Sequence, residues 1–148
     1  MDLKELVDIY VISHKPYTMI ESEIFTPIFT KRELVPNDSN ILCSDEGDNI
    51  ASENPLYAEF STYYWVWKNR KIPKYVGFFQ YRRYISFKDN VTCTNTLSEA
   101  INKYGWNKED LESLLDDCDV LLPTSLNFRM YGRGNMWDQY NFYHKVYI

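Results

Sequence analysis

Residues 45–87, DEGDNIASENPLYAEFSTYYWVWKNRKIPKYVGFFQYRRYISF, decide how this chain is read. They run from an Asp/Gly loop through an aromatic helix and a short link into a strand that ends in Gln-Tyr-Arg-Arg-Tyr. Asn54 followed by Pro55 opens the helix, because an Asn side chain caps free N–H groups and proline tolerates the first helical position. Leu56, Phe60, Tyr63, Tyr64 and Trp67 recur at the spacing of one helical face. Tyr57 and Trp65 widen that stripe, so burial is expected on more than one side. Lys68, Asn69 and Arg70, then Pro73, end the helix. YVGFF (75–79) is a continuous apolar run bounded by turn residues, the pattern of a strand covered on both faces in a parallel α/β sheet. Ligands of such sheets bind outside the carboxyl ends of the strands, where Gln80, Tyr81, Arg82, Arg83 and Tyr84 fall.

Upstream, residues 8–13 (DIYVIS) read as the first strand, with His14, Lys15 and Pro16 at its carboxyl end. A lysine there is placed to meet a phosphate, or the three residues form a solvated turn. Residues 17–40 carry weak signals: a short helix near 19–23, then irregular chain with strand-like pieces punctuated by Pro27 and Pro36. Asp45, Gly47, Asp48 and Asn49 form a turn-rich loop whose side chains either take a ribose or base edge or satisfy backbone N–H groups. Glu59 is a lone carboxylate in an apolar and aromatic segment, which requires a partner; Arg82 and Arg83 are the expected ones, either as a bracing ion pair or around a catalytic group. If residues 81–87 stay extended, Arg82 and Arg83 face opposite ways. One is then free to grip a diphosphate with its planar fork while the other braces the scaffold.

Downstream, residues 95–104 form a helix closed by Gly105, and residues 107–117 another capped by Asn107. A strand is expected at 119–123 (DVLLP). The Asp117-Cys118-Asp119 triplet resembles a metal-holding D-x-D element, but it precedes that strand, at the amino edge, and reads better as a solvated helix terminus. After the loop 124–135, residues 136–146 read as a helix bringing Trp137, Tyr140 and Tyr143 or His144 to one side. Asp138 and His144 are its acid–base candidates.

Size and charge narrow the classes. A chain of 148 residues makes one domain with a real core. A net charge of −5, with basic residues gathered only at 68–74 and 82–83, argues against a protein that grips nucleic acid through phosphates. Cys43, Cys93 and Cys118 are odd in number and form no C-x-x-C pair, which suits a reducing compartment and offers neither a disulfide framework nor a zinc site. The acidic N-terminus carries a strand rather than a signal peptide, and no apolar run approaches the ~18 residues of a membrane span. A cytoplasmic location is expected. The 13 tyrosines serve either the core or stacking on sugars and bases.

The motifs D-x-x-G-D-N-I, E-N-P-L-Y-A-E, Y-W-V-W-K-N and Y-V-G-F-F-Q-Y-R-R-Y fall in order along residues 45–84. With I-Y-V-I-S-H-K (9–15), D-C-D-V-L-L-P (117–123) and D-Q-Y-N-F-Y-H (138–144), they resemble a bacterial family long described as a domain of unknown function and found in capsule and exopolysaccharide gene clusters. Its members look like glycosyltransferases with the nucleotide-sugar-binding A-type fold, a mostly parallel sheet flanked by helices. They often carry His before Y-R-R-Y; this chain has Gln80, which donates and accepts hydrogen bonds but is no acid or base at neutral pH.

The resemblance implies a single domain over 1–148, the N-terminal, donor-binding part of a longer family domain. It also implies transfer of a sugar from a nucleotide-diphosphate donor to a surface glycan or lipid-linked glycan. The alternative is a non-catalytic nucleotide- or glycan-binding domain on the same fold. It places donor binding on His14, Lys15, Asp48, Asn49, Lys68, Asn69, Gln80, Tyr81, Arg82 and Arg83, catalysis on Asp138 and Glu59, and the acceptor side on Gln139, Tyr140 and His144. Whether cationic side chains alone or also Mg2+ or Mn2+ offset the diphosphate charge stays open.

Overall fold

Val7–Ser13 (β1) is the axis of the molecule: all seven residues are buried, which a strand achieves only with neighbours on both edges and layers on both faces. The computed structural model describes residues 3–35, 40–89 and 97–123. A short helix, Leu3–Leu6 (α1), leads into β1. Phe25–Phe29 (β2), Leu42–Cys43 (β3) and Tyr75–Gln80 (β4) join it in an all-parallel sheet of order β3-β2-β1-β4. The chain steps outward from β1 to β2 and β3, then returns across β1 to lay β4 on its other side. The order therefore reverses between β1 and β4, and the crevice there is where open parallel sheets take ligands.

Alternation along β1 splits the core in two. Val7, Ile9 and Val11 pack with Phe25, Phe79, Ala100, Trp106 and Leu111 on one face. Tyr10 and Ile12 pack with Ile28, Trp65 and Val66 on the other. Each buried Val, Ile, Leu or Phe among them contributes about 1.5–3 kcal/mol. The first face is closed by Leu97–Tyr104 (α4) and Lys108–Asp117 (α5). Gly105 turns the chain between them at φ +73°, and the Asn107 side chain caps α5 by accepting from Asp110 N at 3.0 Å, as the sequence led us to expect.

Several expectations are corrected. No helix forms near 19–23, and β2 occupies part of the stretch read as irregular. Pro27 sits in this strand because Phe29 O, two residues on and on the same side, bonds toward β3, whereas β3 begins only opposite Ile28; the N–H that proline lacks would have had no partner. Residues 54–69 are not one helix but two, Asn54–Tyr57 (α2) and Phe60–Asn69 (α3), broken at Ala58. The buried face of α3 is Ser61, Thr62, Trp65 and Val66, not the aromatic stripe. Small Ser61 and Thr62 let the helix approach the sheet, where Ser44 and Thr62 hydroxyls meet at 3.1 Å, while Leu56, Phe60 and Trp67 point outward at 79%, 67% and 63% exposure. β4 is less covered than its composition suggests, only Phe79 being buried. Residues 119–123 form no strand, and Val120 and Leu122 are exposed. The loop 124–135 and the helix read at 136–146 lie outside the described residues. No helix among the described residues is long and apolar enough to cross a membrane.

Candidate active site

The site is assembled where β1, β2 and β4 end. At the end of β1, Ser13 folds the chain back on itself: its hydroxyl donates to Lys15 O at 2.5 Å and accepts from Lys15 N at 3.2 Å. This turn throws His14 and Lys15 into solvent, and the His14 ring meets the Tyr81 ring edge-on at 5.3 Å. At the end of β4, Tyr81 N donates to Ile12 O at 2.9 Å, carrying the pairing one residue further. The chain then closes a tight turn, Arg83 N donating to Gln80 O at 2.9 Å. Residues 81–87 therefore do not continue as an extended strand, and the two arginines are not sorted by strand alternation. Arg82 and Arg83 are exposed and form no ion pair among the described residues; the Arg82 guanidinium lies 5.6 Å from the Tyr81 ring centre. Tyr81 is backed by Tyr17 at 5.5 Å. Burial pushes the Tyr17 hydroxyl well above its ordinary range and that of Tyr84 up to about 12, so both stay protonated.

Between these strand ends and the α2–α3 break lies a cavity of about 130 Å3, lined by Ile12, His14, Thr30, Asn54, Ala58, Glu59 and Gln80. Thr30 and Asn54 also line a second cavity of about 290 Å3, with Lys31, Glu33 and Asp45 on its walls. The two adjoin along the carboxyl edge of the sheet. Glu59 sits at the amino end of α3 and its carboxylate accepts from Gln80 Nε2. The partner is thus the glutamine and not Arg82 or Arg83, because the 80–83 turn carries the arginines outward while Gln80 still belongs to the strand. Tyr63 stacks on Phe78 at 4.0 Å, and burial, reinforced by the Glu59 charge, raises its hydroxyl pKa.

Four of the expected donor residues are elsewhere. Asn69, at the carboxyl end of α3, accepts from Asp48 N and donates to Asp48 O at 2.7 Å and to Trp65 O at 2.9 Å. Asn49 spends its amide on Asp45 O and Gly47 O and its oxygen on Ala51 N. Asp48 accepts from the Tyr64 hydroxyl at 3.0 Å, and Lys68 lies 3.9 Å over the Trp67 ring. Glu59 and Asn69 stand at opposite ends of a ten-residue helix, about 15 Å apart, whereas Asn49 is bonded to Asp45 and Ala51 on the wall of the larger cavity. Asp138, Gln139, Tyr140 and His144 lie outside the described residues. Among the described residues no three His, Cys, Asp or Glu side chains group to hold a metal ion. Glu59 is the single carboxylate lining the smaller cavity among the described residues, so Mg2+ or Mn2+ there would draw on it and on the substrate's own phosphates.

Sequence reasoning missed Thr30, Asn54 and Ala58. Thr30 follows β2 directly and would have been found had Phe25–Phe29 been read as a strand; Asn54 was read only as a cap, and nothing local marks Ala58.

A parallel α/β domain with a polar crevice at the reversal of its strand order belongs to the open-sheet architectures that take ligands at that crevice. Residues 8–147 match the family described as "Domain of unknown function (DUF4422)", and the chain belongs to it. Among solved structures, the apo structure of the bifunctional glycosyltransferase WbbM superposes with a TM-score of 0.74 at 31% identity, over 92% of this chain. The chain spans 26% of that protein, and its fold is glycosyltransferase-like. No curated protein matches it.

Proposed function

We propose that this domain binds a nucleotide-diphosphate sugar at the carboxyl edge of the sheet and transfers the sugar to a glycan or lipid-linked glycan acceptor of a surface polysaccharide. In this reading it is the donor-binding part of a longer family domain. The observation that carries the reading is the meeting of His14 and Gln80 in one cavity with Glu59 on its wall, while cationic Lys15, Arg82 and Arg83 stand exposed on the turns that follow β1 and β4 with no ion pair among the described residues. A diphosphate leaving group develops negative charge as the glycosidic bond breaks, and cations held at that point lower the barrier. Lys15 and the guanidinium groups supply such charge, Arg82 from its station beside Tyr81. Glu59 is the carboxylate placed to accept the acceptor hydroxyl's proton, oriented by Gln80; Asp138 is the second candidate for that role. The glycosyltransferase-like fold and the likeness to part of WbbM support the donor class.

The test is a thermal-shift series with UDP-glucose, UDP-galactose, UDP-N-acetylglucosamine, GDP-mannose and dTDP-glucose. At least one raises the melting temperature, and Arg82→Ala or Arg83→Ala reduces that shift at equal donor concentration. If none stabilises the domain, donor binding is wrong.

A further inference from the structure

Ala58 is the single non-glycine residue with positive φ among the described residues, at φ +47° and ψ −126°. L-residues rarely adopt this conformation, and where they do the surroundings must enforce it. The sequence on either side favours the opposite outcome, since the stripe Leu56, Phe60, Tyr63, Tyr64 and Trp67 keeps helical spacing straight through the break. Two side chains enforce it. Asn54 Nδ2 donates to Ala58 O at 3.0 Å and to Ser61 Oγ at 2.8 Å, and Ser61 Oγ donates to the same Ala58 O at 2.8 Å. In an unbroken helix that carbonyl would be taken by Thr62 N, which here turns to Glu59 O at 3.0 Å, leaving Ser61 N, at 3.2 Å, as the backbone donor to Ala58 O beside the two side chains. Ser61 is 2% exposed, so its hydroxyl is committed to this clamp. The residue directly after the strained one is Glu59, whose carboxylate reaches Gln80 across the cavity.

We propose that Ser61 and Asn54 are positioning residues: they hold α2 and α3 apart at Ala58 so that Glu59 enters the cavity at the carboxyl edge instead of continuing a helix. Glu59's function rests on the transferase reading above; its placement does not. Removing the clamp lets Ala58 relax toward helical φ and withdraws Glu59. Glycine at 58 lowers the cost of positive φ and disfavours the continuous helix, so it compensates.

The experiment compares the 148-residue chain with Ser61→Ala and with the double variant Ala58→Gly/Ser61→Ala. The first readout needs no ligand: the Gln80 side-chain amide protons in 15N–1H spectra, assigned by their change in Glu59→Ala. Ser61→Ala should move this signal toward its Glu59→Ala position, and Ala58→Gly should bring it back. The second is nucleoside diphosphate release from UDP-glucose and the other sugars named above. Ser61→Ala should lower kcat about 10-fold with KM nearly unchanged, and the double variant should recover most of it. A Gln80 signal unmoved by Ser61→Ala, or not restored by glycine, overturns the proposal. Absence of turnover in the parent chain overturns the transferase reading alone, because the amide signal still decides the placement.

Discussion

At the amino end of α3, Glu59 reaches across a cavity to one neutral partner, while Lys15, Arg82 and Arg83 nearby hold no ion pair among the described residues. At the carboxyl end, Asn69 makes three hydrogen bonds, Asn49 three more, and Gly47, at φ +66°, packs under Asn69 so closely that a Cβ there would lie 2.6 Å from its Oδ1. Both ends carry residue types suited to binding a nucleotide. At one end their hydrogen-bonding capacity is consumed in holding a loop; at the other much of it is left open. Unspent polar capacity, and not residue type, separates a candidate site from scaffold.

Substitutions at the two ends should therefore divide into losses of function and losses of stability. The largest effect is expected of Glu59→Gln, which keeps shape and a hydrogen-bonding group but removes the base: sugar transfer should fall by ~100-fold or more, with unfolding free energy from urea titration within about 0.5 kcal/mol of the parent. Gly47→Ala, at the other end, should do the reverse. It forces a side chain into positive φ and against Asn69, lowering stability by about 2–3 kcal/mol in the same titration while the donor-induced thermal shift persists at permissive temperature. Arg82→Ala should weaken donor binding about 10-fold by calorimetry, the value of one charge-assisted contact. Lys68→Ala should leave it unchanged, since an exposed cation over Trp67 accounts for about 0.5–1 kcal/mol of stability at most.

The smallest effect concerns neither end. Lys88, and then Asn107, hold the Asp110 carboxyl below the usual carboxylate range. A depressed folded pKa stabilises at pH values above the unfolded value of ~3.9, and the gain disappears as pH falls through the folded one. The parent should thus lose more melting temperature than Lys88→Ala on acidification from about pH 5 to pH 2.

How much of this was legible in the sequence follows from which interactions are local. β1, β4, α4, α5 and the Asn107 cap could be read because hydrophobic runs and caps act over a few residues. The carboxyl edge of the sheet could be read too, since strand direction fixes it, and His14 and Gln80 do line one cavity there. The break at Ala58 was hidden because a clamp of two polar side chains overrides helical spacing there. The outward aromatic face was hidden because burial of Ser61 and Thr62 depends on Ser44, which pairs with Thr62 from β3's end. Pro27 masked β2, and only the late start of β3 makes it tolerable. Asp48, Asn49 and Asn69 suit a nucleotide by their chemistry, and sequence does not show the hydrogen bonds they make within the loop and to α3.

The most direct measurement is a 15N–1H titration of the domain with whichever nucleotide-diphosphate sugar gives the largest thermal shift. Resonances of residues 12–15, 58–60 and 80–83 should move together and saturate, while those of residues 46–49 and of Lys68 and Asn69 stay in place. Saturating shifts confined to the carboxyl end of α3, with His14 and Gln80 unmoved, would contradict the account.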